Sequence, residues 1–133
     1  MLPFEIVVLG TPIAGQGSKK ARRRWQNEIT AVAREKAAEG DLPESGPVVF
    51  RLAYFYLQTQ AADLDNIVKV AQDALKMVAF VDDRQVVDLV VSARPKEGDY
   101  RINVTPELAT GLAGHSDFIH IVVDHSSTFE AYR

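Results

Sequence analysis

The hydrophobic period of this chain switches repeatedly between two residues and about 3.6, and the order of the switches limits the fold. Residues 4–10, FEIVVLG, are an apolar, β-branched run closed by Gly10, the pattern of a buried strand. The loop GTPIAGQG follows, where Gly15 and Gly17 permit unusual backbone angles and Pro12 lacks a donor. Ser18 then offers an N-cap. Beyond it Trp25, Ile29, Val32, Ala33 and Lys36 recur at three- and four-residue spacing, which predicts an amphipathic helix stopping near Gly40. After the turn-rich DLPESGP, the run VVFRLAYFYLQ alternates. Phe50, Leu52, Tyr54 and Tyr56 share one face; Val49, Arg51, Ala53 and Phe55 share the other. The longer period returns from about Leu64 to Ala79, with Ile67, Val70, Ala71, Ala74, Leu75 and Val78 as its buried stripe. QVVDLVVSAR reads as a third strand, PKEGD as a turn around Gly98, and YRINVT as a fourth strand closing a hairpin.

The order β-α-β-α-β-β predicts an α+β two-layer sandwich, with a mixed sheet of about four strands and two helices on one face. Residues 1–106 make up this domain, and residues 107–133 an acidic C-terminal extension. The extension opens on a small-residue loop, and its FIHIVV is a candidate fifth strand, one able to pair with another chain. A chain of 133 residues buries one modest core. It has no cysteine, so disulfide frameworks and thiolate metal sites are excluded. No apolar run nears the ~18 residues of a membrane span. MLPFEIVVLG lacks a basic leader and a small-residue cleavage site, so a cytoplasmic protein without a signal peptide is expected.

The net charge of −3 conceals its own distribution. Residues 1–105 carry fourteen basic and fourteen acidic side chains, and the whole deficit lies beyond them. Phosphate binding follows local patches rather than totals. One such patch is SKKARRRWQ, with Lys19, Lys20, Arg22, Arg23 and Arg24 in six positions. Like charges three or four apart destabilise a helix, and cations near its N-terminus oppose its dipole. Only Arg24 has an acid, Glu28, at relieving distance in sequence. That local cost points to an anionic partner such as DNA phosphate, bound independently of sequence and weakened by salt. A solvated helix start is the plainer alternative. Trp25 falls on the apolar stripe and is expected in the core.

AADLDNIVKVAQDALKMVAFVDD places Asp63 and Asp65 at the head of the second helix and Asp82 and Asp83 past its tail. Aspartate suits a helix start as a cap, and Asp65 with Lys69 forms an i,i+4 pair, so spacing alone permits a purely structural account. Carboxylates at these places also suit a hard divalent cation. A straight helix holds the two acidic pairs apart, so they meet only if the chain doubles back or a second subunit supplies one pair.

DLDNIVKVAQDAL followed by VDDRQVVD resembles the RusA family of Holliday junction resolvases. The shared pattern comprises Asp63, Asp65, Asn66 and Lys69, then Asp73, Ala74 and Leu75, then Asp82, Asp83 and Val86. The resemblance covers roughly residues 4–105 and is specific over 63–88. It implies a homodimeric, Mg²⁺-dependent endonuclease, with Mn²⁺ as a substitute ion, that nicks four-way DNA junctions symmetrically; many members are carried by prophages. Carried over, Asp63, Asp65 and Asp83 are the metal ligands, with Asp82 the alternative to Asp83, and Lys69 is the catalytic lysine. Asn66 supports or caps. Three rivals remain: a nuclease for flaps or forks with the same metal site, a non-catalytic DNA-binding protein, and a Mg²⁺-dependent phosphotransferase, which the absence of a nucleotide-binding loop disfavours. Among weaker features, His115, His120 and His125 are spaced for neither strand nor helix. Asp73 is placed to pair with Lys69 or Lys76. Tyr54, Phe55 and Tyr56 suit core or dimer surface. Arg84, Arg94 and Lys96 can extend a DNA surface.

Overall fold

The computed structural model describes residues 2–13, 18–38, 40–98 and 103–126. Four strands form one sheet in the order β1-β4-β2-β3: β1 is Phe4–Leu9, β2 Val48–Tyr56, β3 Val86–Pro95 and β4 Phe118–His125. β4 runs antiparallel to both β1 and β2, and β2 runs parallel to β3. Parallel neighbours need a crossover, and the helix α2, Leu64–Leu75, supplies it. The other helices are α1, Lys19–Ala37, and α3, Pro106–Ala113.

Strand periodicity sorts the core. Phe4, Ile6 and Val8 of β1, Phe50, Leu52 and Tyr54 of β2, and Ile119, Ile121 and Val123 of β4 pack with Trp25, Ile29 and Ala33 of α1 and with Ile67, Ala71, Ala74 and Leu75 of α2. Trp25 is thus core, as its stripe position predicts. The alternate strand residues Val7, Ala53, Phe55 and Phe118 meet Leu108 and Leu112 of α3 in a smaller cluster on the other face. There the Phe55 and Phe118 rings stack with centroids 4.9 Å apart. Gly111 lets α3 approach them, because a Cβ at that position would lie 2.6 Å from the Phe118 ring.

The α+β sandwich with a mixed four-stranded sheet agrees with expectation, and so do α1 and α2 on one face. Three details differ. The strand expected at residues 100–105 is not seen among the described residues: 103–105 are irregular and lead to Thr105, which caps α3, while 100–102 lie outside the described residues. The segment expected as an optional fifth strand is β4, inserted between β1 and β2 of its own sheet, and α3 precedes it where a loop was expected. α2 stops at Leu75 rather than Ala79, because Met77 turns with φ 69° and its amide donates to Phe80 O at 2.6 Å. Val78, Ala79 and Phe80 are still buried, in a tight turn. Gly15 and Gly17 lie outside the described residues.

Candidate functional site

Asp63 is the N-cap residue of α2, yet its side chain makes no capping bond. Asp65 follows in the first turn, and both are exposed. Among the described residues neither carboxylate has a hydrogen-bond or ion-pair partner, and the Asp65–Lys69 pair suggested by spacing does not form. The carboxylates are therefore displayed on a helix start that does not use them.

That helix start is anchored from behind. Asp117, buried at 9% exposure, accepts from the Leu57 amide at 2.9 Å and from the Tyr54 hydroxyl at 2.7 Å. The Tyr54 oxygen in turn accepts from the Ala61 amide at 3.1 Å, and Gly10 N donates to Asp117 O at 2.8 Å. The segment leading into Asp63 is thus tied to two strands and to the residue before β4. Sequence reasoning missed Asp117, counting it only as tail charge; its one local sign is its position directly before an apolar strand. Burial is the main force pushing the Tyr54 hydroxyl up from 10.0 to about 12; the Asp117 bond adds to it, and the Ala61 amide opposes it. An unfolded phenol ionises near 10, so this contribution to stability is complete below pH 10 and is lost as pH rises through about 12. In an absorbance titration, one of the four tyrosines is expected to ionise only in that upper range, together with unfolding. Ionisation of all four before any loss of structure would contradict this.

The second acidic pair divides its work. Asp82 caps a 3₁₀ turn, Asp83–Gln85, accepting from the Arg84 amide at 2.9 Å, and Gln85 completes a capping box. The Arg84 amide and guanidinium hold the Asp82 carboxyl below the usual carboxylate range. Gln85 accepts from the Val81 and Asp82 amides and donates to Glu44 O and Gly46 O at 2.7 and 2.9 Å. Asp83 is exposed, and its carboxylate has no partner among the described residues.

These bonds fix Asp83 at the entry end of β2 and β3. Asp63 and Asp65 belong to the opposite end, where Lys96 N donates to Tyr56 O at 2.7 Å. β2 spans about 26 Å at ~3.3 Å per residue, and α2 about 18 Å at ~1.5 Å per residue. Among the described residues no three or more acidic or histidine side chains gather closely enough to hold a metal ion. Asp63 and Asp65 are hard oxygen donors, and Mg²⁺ commonly takes one or two carboxylates with phosphate and water. The pair fits such an ion; Asp83 of the same chain does not complete it.

Lys69 opens onto a cleft of about 210 Å³ between α1 and α2. Asn66, Val70 and Asp73 line it from α2; Lys19, Arg22, Arg23 and Gln26 line it from α1. The Thr30 hydroxyl donates to Ala74 O at 2.9 Å and ties the two walls together. The cationic run and the candidate catalytic lysine therefore share one surface. Lys20 and Arg24 are exposed outside this lining. The expected pairs Arg24–Glu28 and Asp73 with Lys69 or Lys76 are not formed among the described residues. Lys96 serves the fold, donating to Gly114 O and Ser116 O, and Arg84 lies 3.5 Å from Asp82. His120 is paired with Glu5 at 2.6 Å. A larger cleft, about 350 Å³ between α1, β1 and α3, has that Glu5 and the Lys36–Glu107 ion pair in its lining.

No helix among the described residues is long and apolar enough to cross a membrane. No curated protein matches the chain. The family model Endodeoxyribonuclease RusA matches residues 15–106, a stretch that holds the cationic run, Lys69 and both acidic pairs. The chain belongs to the RusA family of endodeoxyribonucleases, which act on Holliday junctions.

Proposed function

We propose that this protein is a Mg²⁺-dependent, structure-selective endodeoxyribonuclease that resolves four-way junctions by paired symmetric nicks and works as a homodimer in the cytoplasm. The observation that carries this reading is the pair of unengaged carboxylates, Asp63 and Asp65, beside a cleft that presents Lys69 with three cations of α1. When bound, the divalent ion supplies Lewis-acid polarisation of phosphate and a more acidic water. Asp63 and Asp65 hold it. The Lys69 ammonium offsets negative charge developing on the phosphoryl or leaving oxygen. The α1 cations hold the strand by its backbone.

The third ligand is Asp83 from the second chain. Support comes from β3, the sheet edge, where Val87, Leu89 and Val90 are 39%, 49% and 53% exposed. Antiparallel pairing of this edge with its copy about a twofold axis continues the sheet. It carries each Asp83 to the partner's opposite strand end, the end that bears Asp63 and Asp65. Two such sites related by a twofold suit a substrate of near-twofold symmetry and cuts in opposing strands. Asp83 is preferred to Asp82 because Asp82 is already committed as a cap.

The test compares a synthetic four-way junction with linear duplex, in Mg²⁺ and in EDTA. Symmetric nicks in the junction alone, only with Mg²⁺, are expected. Cleavage indifferent to Mg²⁺, or no preference for the junction, would contradict the reading.

A further inference from the structure

The cleft between α1 and α2 holds four cations, Lys19, Arg22, Arg23 and Lys69, against one carboxylate, Asp73. Among the described residues none of the four cations is in an ion pair. Arg22 is the most unusual of them. Its Nε is sealed from solvent and meets no acceptor among the described residues. A buried guanidinium N–H left without an acceptor is destabilising. Lys19, Arg23 and Lys69 are exposed, as Lys20 and Arg24 outside the cleft are, whereas Arg22 is only half-exposed. An anion seated in the cleft would offset the net positive charge of this lining, although the sealed Nε itself lies out of its reach.

We infer that this cleft seats one backbone phosphate of the DNA strand, next to the phosphate that is cut, with Arg22 as its principal donor. The inference rests on the nuclease reading, because Lys69 lines the seat and stands one helical turn after Asp65. The terminal Nη groups of the guanidinium offer parallel donors to a phosphate, and the sealed Nε–H, conjugated with them, reports the contact. Asn66 adds a neutral amide donor, and Lys19 and Arg23 add field. The walls are preset by the Thr30–Ala74 bond, so little ordering is needed on binding. Arg22 is then a positioning residue that sets where the strand lies. Asp73, on the same wall, repels the phosphate and limits affinity.

The test uses the full chain in EDTA, where no cutting occurs. The Arg22 Nε–H resonance is followed in ¹⁵N spectra with two probes, inorganic phosphate and a short single-stranded oligonucleotide. Both are expected to shift it, the oligonucleotide at much lower concentration. Arg22→Lys keeps the charge and loses the fork, so affinity for DNA is expected to fall about tenfold. Asp73→Asn is expected to tighten binding about threefold, and Arg34→Ala, in the last turn of α1, to change nothing. An unmoved Nε–H with wild-type affinity in Arg22→Lys would overturn the seat. A response to phosphate but not to the oligonucleotide would overturn its assignment to DNA. A protein that cuts no junction yet shows the Arg22 response would lose the nuclease reading and keep the phosphate seat; junction cutting without the response would do the reverse.

Discussion

Asp65→Asn is expected to slow Mg²⁺-dependent cutting of a four-way junction by about 10³-fold or more, while junction affinity in EDTA stays equal or improves. The substitution keeps the size of the side chain and removes one negative donor for a divalent ion. It touches no bond that holds the fold, because the Asp65 carboxylate has no partner among the described residues and is exposed. The folded state is therefore preserved, and lost cutting reports chemistry. Removing a negative charge near the strand also eases phosphate approach, which is why binding does not weaken. A protein that only binds DNA would show no Mg²⁺-dependent rate to lose. Asp82→Ala is the informative contrast. It removes the cap of the 3₁₀ turn and is expected to lower stability, with cutting largely retained. Equal loss of cutting in both variants, with both fully folded, would contradict the division of labour between the two acidic pairs.

Much of the fold is legible because α1, β2, α2 and β3 declare themselves by period. The alternating run of β2 and the stripe Ile67–Ala71–Ala74 need only local information. β4 could not be placed that way. Its register sets Phe4 against Val123 and Val48 against His125, pairings between distant parts of the chain that no short window contains. The end of α2 misled for a different reason. Val78, Ala79 and Phe80 are buried as a helical stripe would be, but a backbone bond from Met77 to Phe80 makes them a turn. The candidate site was legible in residue type and not in arrangement. Spacing treats Asp82 and Asp83 alike; only Gln85, bonded to residues 44 and 46 some forty positions earlier, separates a cap from a free carboxylate. The cationic run was visible as a run, yet which members face Lys69 depends on how α1 crosses α2. Asp117 carried only the local sign of standing before an apolar strand, since its role comes from Tyr54 and Leu57 across the sheet.

The sharpest consequence of placing Asp83 across a twofold axis is that two inactive chains repair each other. Asp65→Asn and Asp83→Asn homodimers each lack one ligand at both sites and should be inactive. In a mixed dimer one site lacks both ligands, whereas the other takes Asp63 and Asp65 from the Asp83→Asn chain and Asp83 from its partner. Random assortment makes half of the dimers mixed, so about a quarter of the wild-type sites return. Each mixed dimer has one working site, so the product is a single nick and not the paired cut. Co-purified mixed chains assayed on a four-way junction in Mg²⁺ measure this directly. Restored single nicking is the result the shared carboxylate site requires; a mixture as inactive as its parents, or an Asp83→Asn protein active by itself, would contradict it.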